Sequence, residues 1–214
     1  MLSNEEATRK FDMAYECYEK GDYVSAEKLF IEVAGCRESD KAEQAVLNLL
    51  SAIYSFPDSG LRSVDNFRLW LIVLATDFNN GWAKAMLGSV YCGVDLGSFQ
   101  IKADELGLGK DYATGLTLIE EGLRSASKED SKLEFVSSDY YIIATAYDEC
   151  ARKLFGDGTK YAIYICLRQR AVELNEKAYA IKPYEETSKL IEALKRKLET
   201  DTAYGKYSCF ASEL

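Results

Sequence analysis

The sequence of 214 residues contains no histidine. Histidine is the usual general base near neutral pH and the commonest protein ligand of transition metals. Its absence excludes Ser-His-Asp and Cys-His mechanisms of nucleophilic catalysis. We therefore predict a protein that is not an enzyme and that binds no cofactor and no metal.

Proline and long apolar runs are also scarce. There are two prolines, and the longest strongly apolar run covers residues 69–75. Few prolines suit long helices, and so short a run cannot cross a bilayer. The first ten residues, MLSNEEATRK, carry acidic side chains and no apolar core. We therefore expect no signal peptide and a cytoplasmic protein.

The net charge of −9 argues against nucleic acid or an anionic membrane as the main partner. It is compatible with a basic or neutral protein partner. The six cysteines are scattered without a Cys-x-x-Cys pair, at positions 17, 36, 92, 150, 166 and 209. We expect reduced and mostly buried thiols.

Residues 11–33 have the pattern of two helices joined by a tight turn. The first helix has apolar side chains at helical spacing, on Phe11, Ala14, Tyr15 and Tyr18. The second has them on Ala26, Leu29, Phe30 and Val33. Gly21 can end the first helix in the left-handed conformation, and Asp22 can cap the second.

This hairpin resembles a tetratricopeptide repeat in its small Ala14, its Gly-Asp-Tyr turn at 21–23, and its Ala26 and Phe30. Val33 departs from the alanine usual in that family. The resemblance implies an all-α fold, a right-handed α-solenoid of about four helical hairpins with a C-terminal capping helix. The resemblance covers residues 4–180 in outline, and we predict a helical repeat domain over 1–200 with 201–214 as a C-terminal tail. An ordinary helical hairpin is the alternative.

The second hairpin is predicted to begin at Asp40, with Glu43 at capping spacing, and to turn at residues 56–60. Its return helix, about 61–78, is apolar nearly all round, so we expect it at the centre of the fold. A buried strand over residues 69–74 is the alternative.

The third hairpin is predicted to begin near residues 79–81. It is similar to the Sel-one-like variant of the tetratricopeptide family in Ala83, Leu87, Gly88 and Tyr91. We expect Gly88 at a close crossing of two helices. The Asp and Ala that the variant carries after its turn are displaced to Asp111 and Ala113. The intervening insertion, 93–109, is predicted to be a surface excursion.

The fourth hairpin has apolar residues at helical spacing in its first helix, on Tyr140, Ile143, Ala144 and Tyr147. A polar loop at 125–132 precedes it, and its turn is predicted at residues 156–158. Its second helix should cover about 159–180. A last helix, from Pro183 to about Thr200, has the polar outer face that a solenoid cap needs.

Residues 106–111, LGLGKD, superficially match a phosphate-binding loop. That loop requires glycine where Asp104 stands and Ser or Thr where Asp111 stands. A dinucleotide-binding GxGxxG requires glycine where Tyr112 stands. We predict no nucleotide site.

The family resemblance implies that first helices line a concave groove. The ligand-facing positions that it implies are Phe11, Tyr15, Tyr18, Tyr141, Thr145 and Asp148, with Ala85, Ser89 and Cys92 in the third hairpin. Tyrosines that pack between helices are the alternative at each position. We predict a non-enzymatic scaffold that binds a protein or peptide segment, with a basic segment favoured by the acidic charge.

Two other functions stay open. One is a self-associating subunit whose groove or apolar second hairpin forms an oligomer interface. The other is an enzyme, which would need a cluster of carboxylates drawn from distant repeats.

Overall fold

The computed structural model describes residues 2–55, 63–126, 135–154 and 160–211, and the side chains of all these except 52–55, 98, 126 and 204–211. Across these residues the chain forms nine α-helices and no β-strand, which confirms the predicted all-α fold. The helices are α1 (Asn4–Glu19), α2 (Tyr23–Ala34), α3 (Ala42–Ser55), α4 (Val64–Thr76), α5 (Gly81–Tyr91), α6 (Tyr112–Ala126), α7 (Ser137–Leu154), α8 (Tyr161–Ile181) and α9 (Glu185–Ala211). The chain divides into two compact units, Met1–Lys84 and Ala85–Leu214.

The ends of α1 and α2 are formed as their sequence predicts. Ser3 and Glu6 make a reciprocal capping box at the start of α1. Gly21 adopts a left-handed φ of 79° after α1. The Asp22 N–H donates to the Cys17 carbonyl at 2.9 Å, which completes a Schellman motif. The Asp22 carboxylate then accepts from the Ser25 N–H, so a two-residue turn joins the helices.

Aromatic rings and small residues close the α1–α2 hairpin. The Phe11 and Phe30 rings meet edge to face, with centroids 5.7 Å apart, and Tyr15 contacts both rings in the same way. Ala14 and Ala26 are buried, so the two backbones can approach closely. Edge-to-face aromatic pairs stabilise a core beyond the burial of their area.

The second hairpin differs from its prediction in two places. Helix α3 begins at Ala42 rather than near Asp40, and the Glu43 carboxylate accepts from the Asn80 side chain at 2.7 Å instead of capping α3. Residues 69–74 lie in helix α4, which confirms the predicted helix against the alternative of a buried strand. We expected this helix at the centre of the fold, and it is buried on one face: Leu71 is fully buried while Leu69 is 50 % exposed. The turn at 56–60 lies outside the described residues.

Glycines allow the backbones of α5 and α6 to approach closely where the helices cross, as predicted for Gly88. A Cβ on Gly88 would lie 2.5 Å from the carbonyl oxygen of Gly115, and one on Gly115 would lie 2.7 Å from that of Gly88. Ala113 is exposed. The small residue at the crossing is therefore Gly115, four residues after the capping Asp111, as Ala26 is four after Asp22.

The insertion at 93–109 is part of the core of its unit, and the expectation of a surface excursion is wrong. Leu96 and Leu106 are fully buried, and Ile101 is 7 % exposed. Leu96 and Ile101 form an isolated antiparallel bridge, flanked by 3₁₀ turns at Gly97–Phe99 and Ala103–Leu106. Apolar side chains spaced along the segment give it a buried face of its own.

Helices α7, α8 and α9 pack in sequence. The α7–α8 core contains Ile143, Ala146, Cys150, Tyr164, Ala171 and Leu174. Helix α9 continues to Ala211, past the predicted end near Thr200. The predicted turn at 156–158 and most of the loop at 125–132 lie outside the described residues. None of the helices in the described ranges has both the length and the apolarity to cross a bilayer.

Candidate functional site

A cavity of about 780 Å³ opens where α7 begins, α8 ends and α9 begins. Its apolar wall is formed by Val136, Tyr141, Ile181, Tyr184 and Leu190. The polar groups on its lining are Ser137, Ser138, Lys182, Glu186 and Thr187. We call this cavity the α7–α9 groove.

The start of α7 is held by hydrogen bonds that leave the apolar side chain of Val136 outside the core. The Val136 N–H donates to the buried Asp139 carboxylate at 3.0 Å, and the Val136 carbonyl accepts from the Asp139 N–H at 3.0 Å. The Ser137 hydroxyl donates to the Ala178 carbonyl at 2.8 Å and ties α7 to the last turns of α8. Val136 is therefore fixed with its side chain 54 % exposed.

The end of α8 and the start of α9 supply the facing wall. Lys182 leaves the helix in an extended conformation, with φ −144° and ψ 103°, which is the conformation that a following proline favours. The Tyr184 carbonyl accepts from the Ser188 N–H at 3.1 Å, so Tyr184 stands at the first turn of α9. Ile181 and Tyr184, on either side of Pro183, are 52 % and 47 % exposed.

The chemistry of the groove is that of an apolar anchor site with a few polar groups. The Lys182 ammonium lies 5.0 Å from the centroid of the Tyr184 ring, so a cation–π contact engages its charge. Glu186 supplies a carboxylate, and hydroxyls stand beside the apolar wall. Within the described residues no group of three or more cysteine or acidic side chains is placed to hold a metal ion.

Of the predicted site residues on α7, Tyr141 lies in the groove. It is 47 % exposed. Thr145 is half-buried, and its hydroxyl donates to the Tyr141 carbonyl at 2.9 Å. Asp148 forms ion pairs with the buried Arg168 and, at 3.1 Å, with Arg152. Thr145 and Asp148 are thus occupied with partners inside the protein.

The predicted site residues on α1 belong to the Met1–Lys84 unit. Phe11 is 7 % exposed, so its ring packs in the hairpin and offers little surface to a ligand. Tyr15 is 40 % exposed, and its hydroxyl donates to Asn48 on α3 at 3.3 Å. Tyr18 is half-buried with its ring against Tyr23. Tyr15 is the one of the three that combines a large exposed ring with a fixed orientation.

The positions expected to face a ligand in the third hairpin are buried instead. Ala85 and Ser89 have no exposed surface, and Cys92 is 1 % exposed. The Ser89 hydroxyl donates to the Ala85 carbonyl at 2.9 Å. Cys92 lies against Gly115 of α6 and Cys150 of α7, so this side of α5 packs in the core instead of facing a groove.

The sequence patterns did not predict four residues that line the groove, which are Val136, Ile181, Tyr184 and Leu190. The tetratricopeptide pattern places ligands along first helices, whereas these residues lie at helix ends. The signal was Pro183, with Ile181 two residues before it and Tyr184 directly after it. A proline cannot continue a helix and holds the residue before it in an extended conformation, so it marks a helix end.

Comparisons with protein-family models, with curated proteins and with solved structures found no match to this chain.

Proposed function

We propose that this protein is a non-enzymatic binding module that holds a protein or peptide segment in the α7–α9 groove. The observation that carries the proposal is a cluster of four large side chains, Val136, Tyr141, Ile181 and Tyr184, each 47–54 % exposed around one cavity. Single exposed apolar residues are ordinary, but a contiguous apolar patch around a concave site is typical of a binding surface.

The ligand that fits this groove carries an aliphatic or aromatic anchor side chain. Anchors that fill an apolar pocket supply most of the affinity of a typical interface. The tyrosine rings offer large contact area at low entropic cost, with hydroxyls for the backbone of the ligand. Glu186 favours a basic residue beside the anchor, since the nearby Lys182 ammonium is engaged over the Tyr184 ring.

The wider architecture that we propose is a right-handed α-solenoid of tetratricopeptide or Sel-one-like hairpins, capped by α9, in a cytoplasmic protein. The equivalence of two hairpin ends supports it: Gly21 and Gly93 both have left-handed φ angles, and Asp22 and Asp111 both cap the helix that follows. An experimental structure of the full chain tests the superhelix. Localisation of the tagged protein in its native cell tests the compartment.

The experiment for the groove uses two isoleucines on α8. Ile181 is 52 % exposed in the groove, and Ile163 is 54 % exposed and does not line it. Peptides selected from a random display library on the unmodified chain would be titrated against Ile181→Ser and Ile163→Ser. We expect Ile181→Ser to weaken binding by about tenfold or more and Ile163→Ser to leave it unchanged.

Tyr141→Ala gives a second measurement, because it removes the exposed ring from the opposite wall. A melting curve of each variant confirms that the folded fraction is unchanged. An equal loss of peptide affinity in Ile181→Ser and Ile163→Ser would contradict the groove as the binding site. A selection that enriches no peptide would contradict it as well.

Self-association is the alternative function, and Leu69 is the observation that favours it. It is 50 % exposed on α4, in the apolar second hairpin. Light scattering across a range of concentrations separates the two functions. A dimer that dissociates on Leu69→Ser or Ile181→Ser would support the alternative, whereas a monomer that binds the selected peptides supports the proposed function.

A further inference from the structure

Two buried cysteines, one directly after α5 and one on α7, meet inside the Ala85–Leu214 unit. The Cys150 thiol, on α7, donates toward the sulfur of Cys92, at the end of α5, with the two Sγ atoms 3.5 Å apart. Cys92 is 1 % exposed and Cys150 is 2 % exposed. The sequence gives no sign of this pairing, because 58 positions separate the two residues.

The surroundings hold the Cys92 sulfur in place. Cys92 follows the last residue of α5, and its N–H donates to the Gly88 carbonyl at 3.1 Å. Gly93 then adopts φ 81°, and the Val94 N–H donates to the Ser89 carbonyl at 3.0 Å. A Cβ on Gly115 would lie 2.6 Å from the Cys92 sulfur. The glycine at the helix crossing therefore makes the space that this thiol occupies.

We propose that Cys92 and Cys150 are a redox latch: a hydroperoxide converts the two thiols into a disulfide that joins the end of α5 to α7. The thiolate of one cysteine attacks the peroxide oxygen, forming a sulfenic acid and releasing hydroxide. The second thiol displaces the sulfenic oxygen as water, and the S–S bond forms. In sum, two thiols are oxidised, and one hydrogen peroxide is reduced to two molecules of water.

The short distance between the sulfurs favours disulfide formation, whereas the first step, the attack of a thiolate on the peroxide, is slow. A disulfide requires the sulfurs to approach from 3.5 Å to about 2 Å, a shift of about 1.5 Å. The neighbouring Cys150 sulfur, together with burial, raises the pKa of the Cys92 thiol. Little thiolate is therefore present at neutral pH. The latch responds to sustained oxidation, and a small peroxide reaches it more readily than a bulky disulfide.

The test is peptide mapping of the full chain after timed exposure to hydrogen peroxide. The protein is quenched with catalase, denatured, blocked with N-ethylmaleimide and digested with trypsin without reductant. Trypsin releases Cys92 in peptide 85–102 and Cys150 in peptide 133–152, and each peptide contains no other cysteine. We expect these two peptides to become joined, with the loss of two hydrogen atoms, and a thiol reductant to separate them.

Two other cysteines in the same digest are matched controls. Cys166 is exposed and should oxidise first. Cys36 is 5 % exposed, and its thiol donates to the Leu2 carbonyl at 3.2 Å rather than to another sulfur, so it should stay a thiol. The proposal is overturned if Cys92 and Cys150 both remain maleimide-labelled after Cys166 is fully oxidised, or if Cys92 reaches the sulfonic acid without a link.

The effect on the fold is measured on the unmodified chain in both redox states. The disulfide should raise Tm by roughly 5–10 °C, because it removes freedom from the unfolded chain. Dithiothreitol should reverse the increase. Cys150→Ala should abolish the increase under the same oxidation. An unchanged or lower Tm in the linked protein would show that the bond strains the core and would overturn the latch.

Discussion

The α1–α2 and α5–α6 hairpins have the same helix-end motifs but different connecting segments. Each first helix ends in a Schellman motif, with Gly21 at φ 79° in one and Gly93 at φ 81° in the other. Each second helix is capped by an aspartate, Asp22 or Asp111, that accepts from the N–H three residues later. In α1–α2 the two motifs share a two-residue turn. In α5–α6 a packed insertion separates them.

The difference shows that helix-end chemistry and hairpin closure are separable. The insertion returns to its starting point because the Asp111 N–H donates to the Tyr91 carbonyl at 2.9 Å, which restores the start of α6 beside the end of α5. The crossing then becomes tighter: alanines 14 and 26 in the first hairpin correspond to glycines 88 and 115 in the other. A hairpin with direct closure thus relies on aromatic rings, and one with an insertion relies on buried aliphatic residues and close backbones.

The largest effect should come from removing the insertion. Replacing residues 95–106 with a short Gly-Ser linker deletes the buried Leu96, Ile101 and Leu106. Each such side chain contributes about 1.5–3 kcal/mol on burial, so we expect a loss of roughly 5 kcal/mol or more. Urea unfolding followed by circular dichroism measures it.

The matched change in the first hairpin is a four-residue Gly-Ser insertion between Gly21 and Asp22. Since loop length alone changes stability weakly, we expect a cost of about 1 kcal/mol. Equal unfolding curves for the deletion variant and its parent would show that the insertion contributes nothing to the core.

Gly88→Ala should have the next largest effect. The new Cβ would lie 2.5 Å from the Gly115 carbonyl oxygen and 2.9 Å from Ile119 Cγ1, so backbone must move. Overpacking of this kind costs roughly 1–3 kcal/mol, and leucine at this position should cost more. Thermal melting of Gly88→Ala, with Gly97→Ala as the control variant, measures this loss of stability. A Cβ on Gly97 meets nothing within 4 Å, so a similar loss in both variants would refute the close crossing.

Tyr15→Ala should have an intermediate effect in the first hairpin. The ring is 40 % exposed yet contacts Phe11 and Phe30, and its hydroxyl donates to Asn48. We expect a loss of about 1–2 kcal/mol, against roughly 3 kcal/mol or more for Phe30→Ala in the core. Urea unfolding of the two variants compares them. An equal loss for both would place Tyr15 in the core and remove it from any binding surface.

The smallest effect concerns the two capping aspartates. Hydrogen bonds from Ser25 lower the pKa of Asp22, and hydrogen bonds from Thr114 lower the pKa of Asp111. A folded pKa below the unfolded one contributes stability above the unfolded pKa, near 4, and that stability is lost as pH falls through the folded pKa.

Asn keeps a cap that does not titrate. We therefore expect Asp22→Asn and Asp111→Asn to lower Tm by a few degrees or less at pH 7, with a difference that shrinks toward pH 3. Melting curves across that range measure it. A difference that grows in acid would contradict the lowered pKa values.

Much of the fold could be predicted because its signals are local. Gly21, Asp22, Ser3 and Glu6 act within one helical turn, so their roles follow from spacing alone. The candidate groove could not be predicted in the same way. Tyr141 lines it, but Ile181 and Tyr184 come from the end of one helix and the start of another, and no short-range pattern shows that helix ends will enclose a cavity.

The sequence by itself determined the all-α class, the caps of α1 and α2 and the glycine crossing at Gly88, because propensity, periodicity and capping are properties of neighbouring residues. Only the tertiary structure decided which surfaces stay open. It buried the insertion through Leu96 and Leu106, turned Leu69 outward and brought Cys92 to Cys150. Burial depends on which elements meet, and that is decided by packing between residues far apart in the chain.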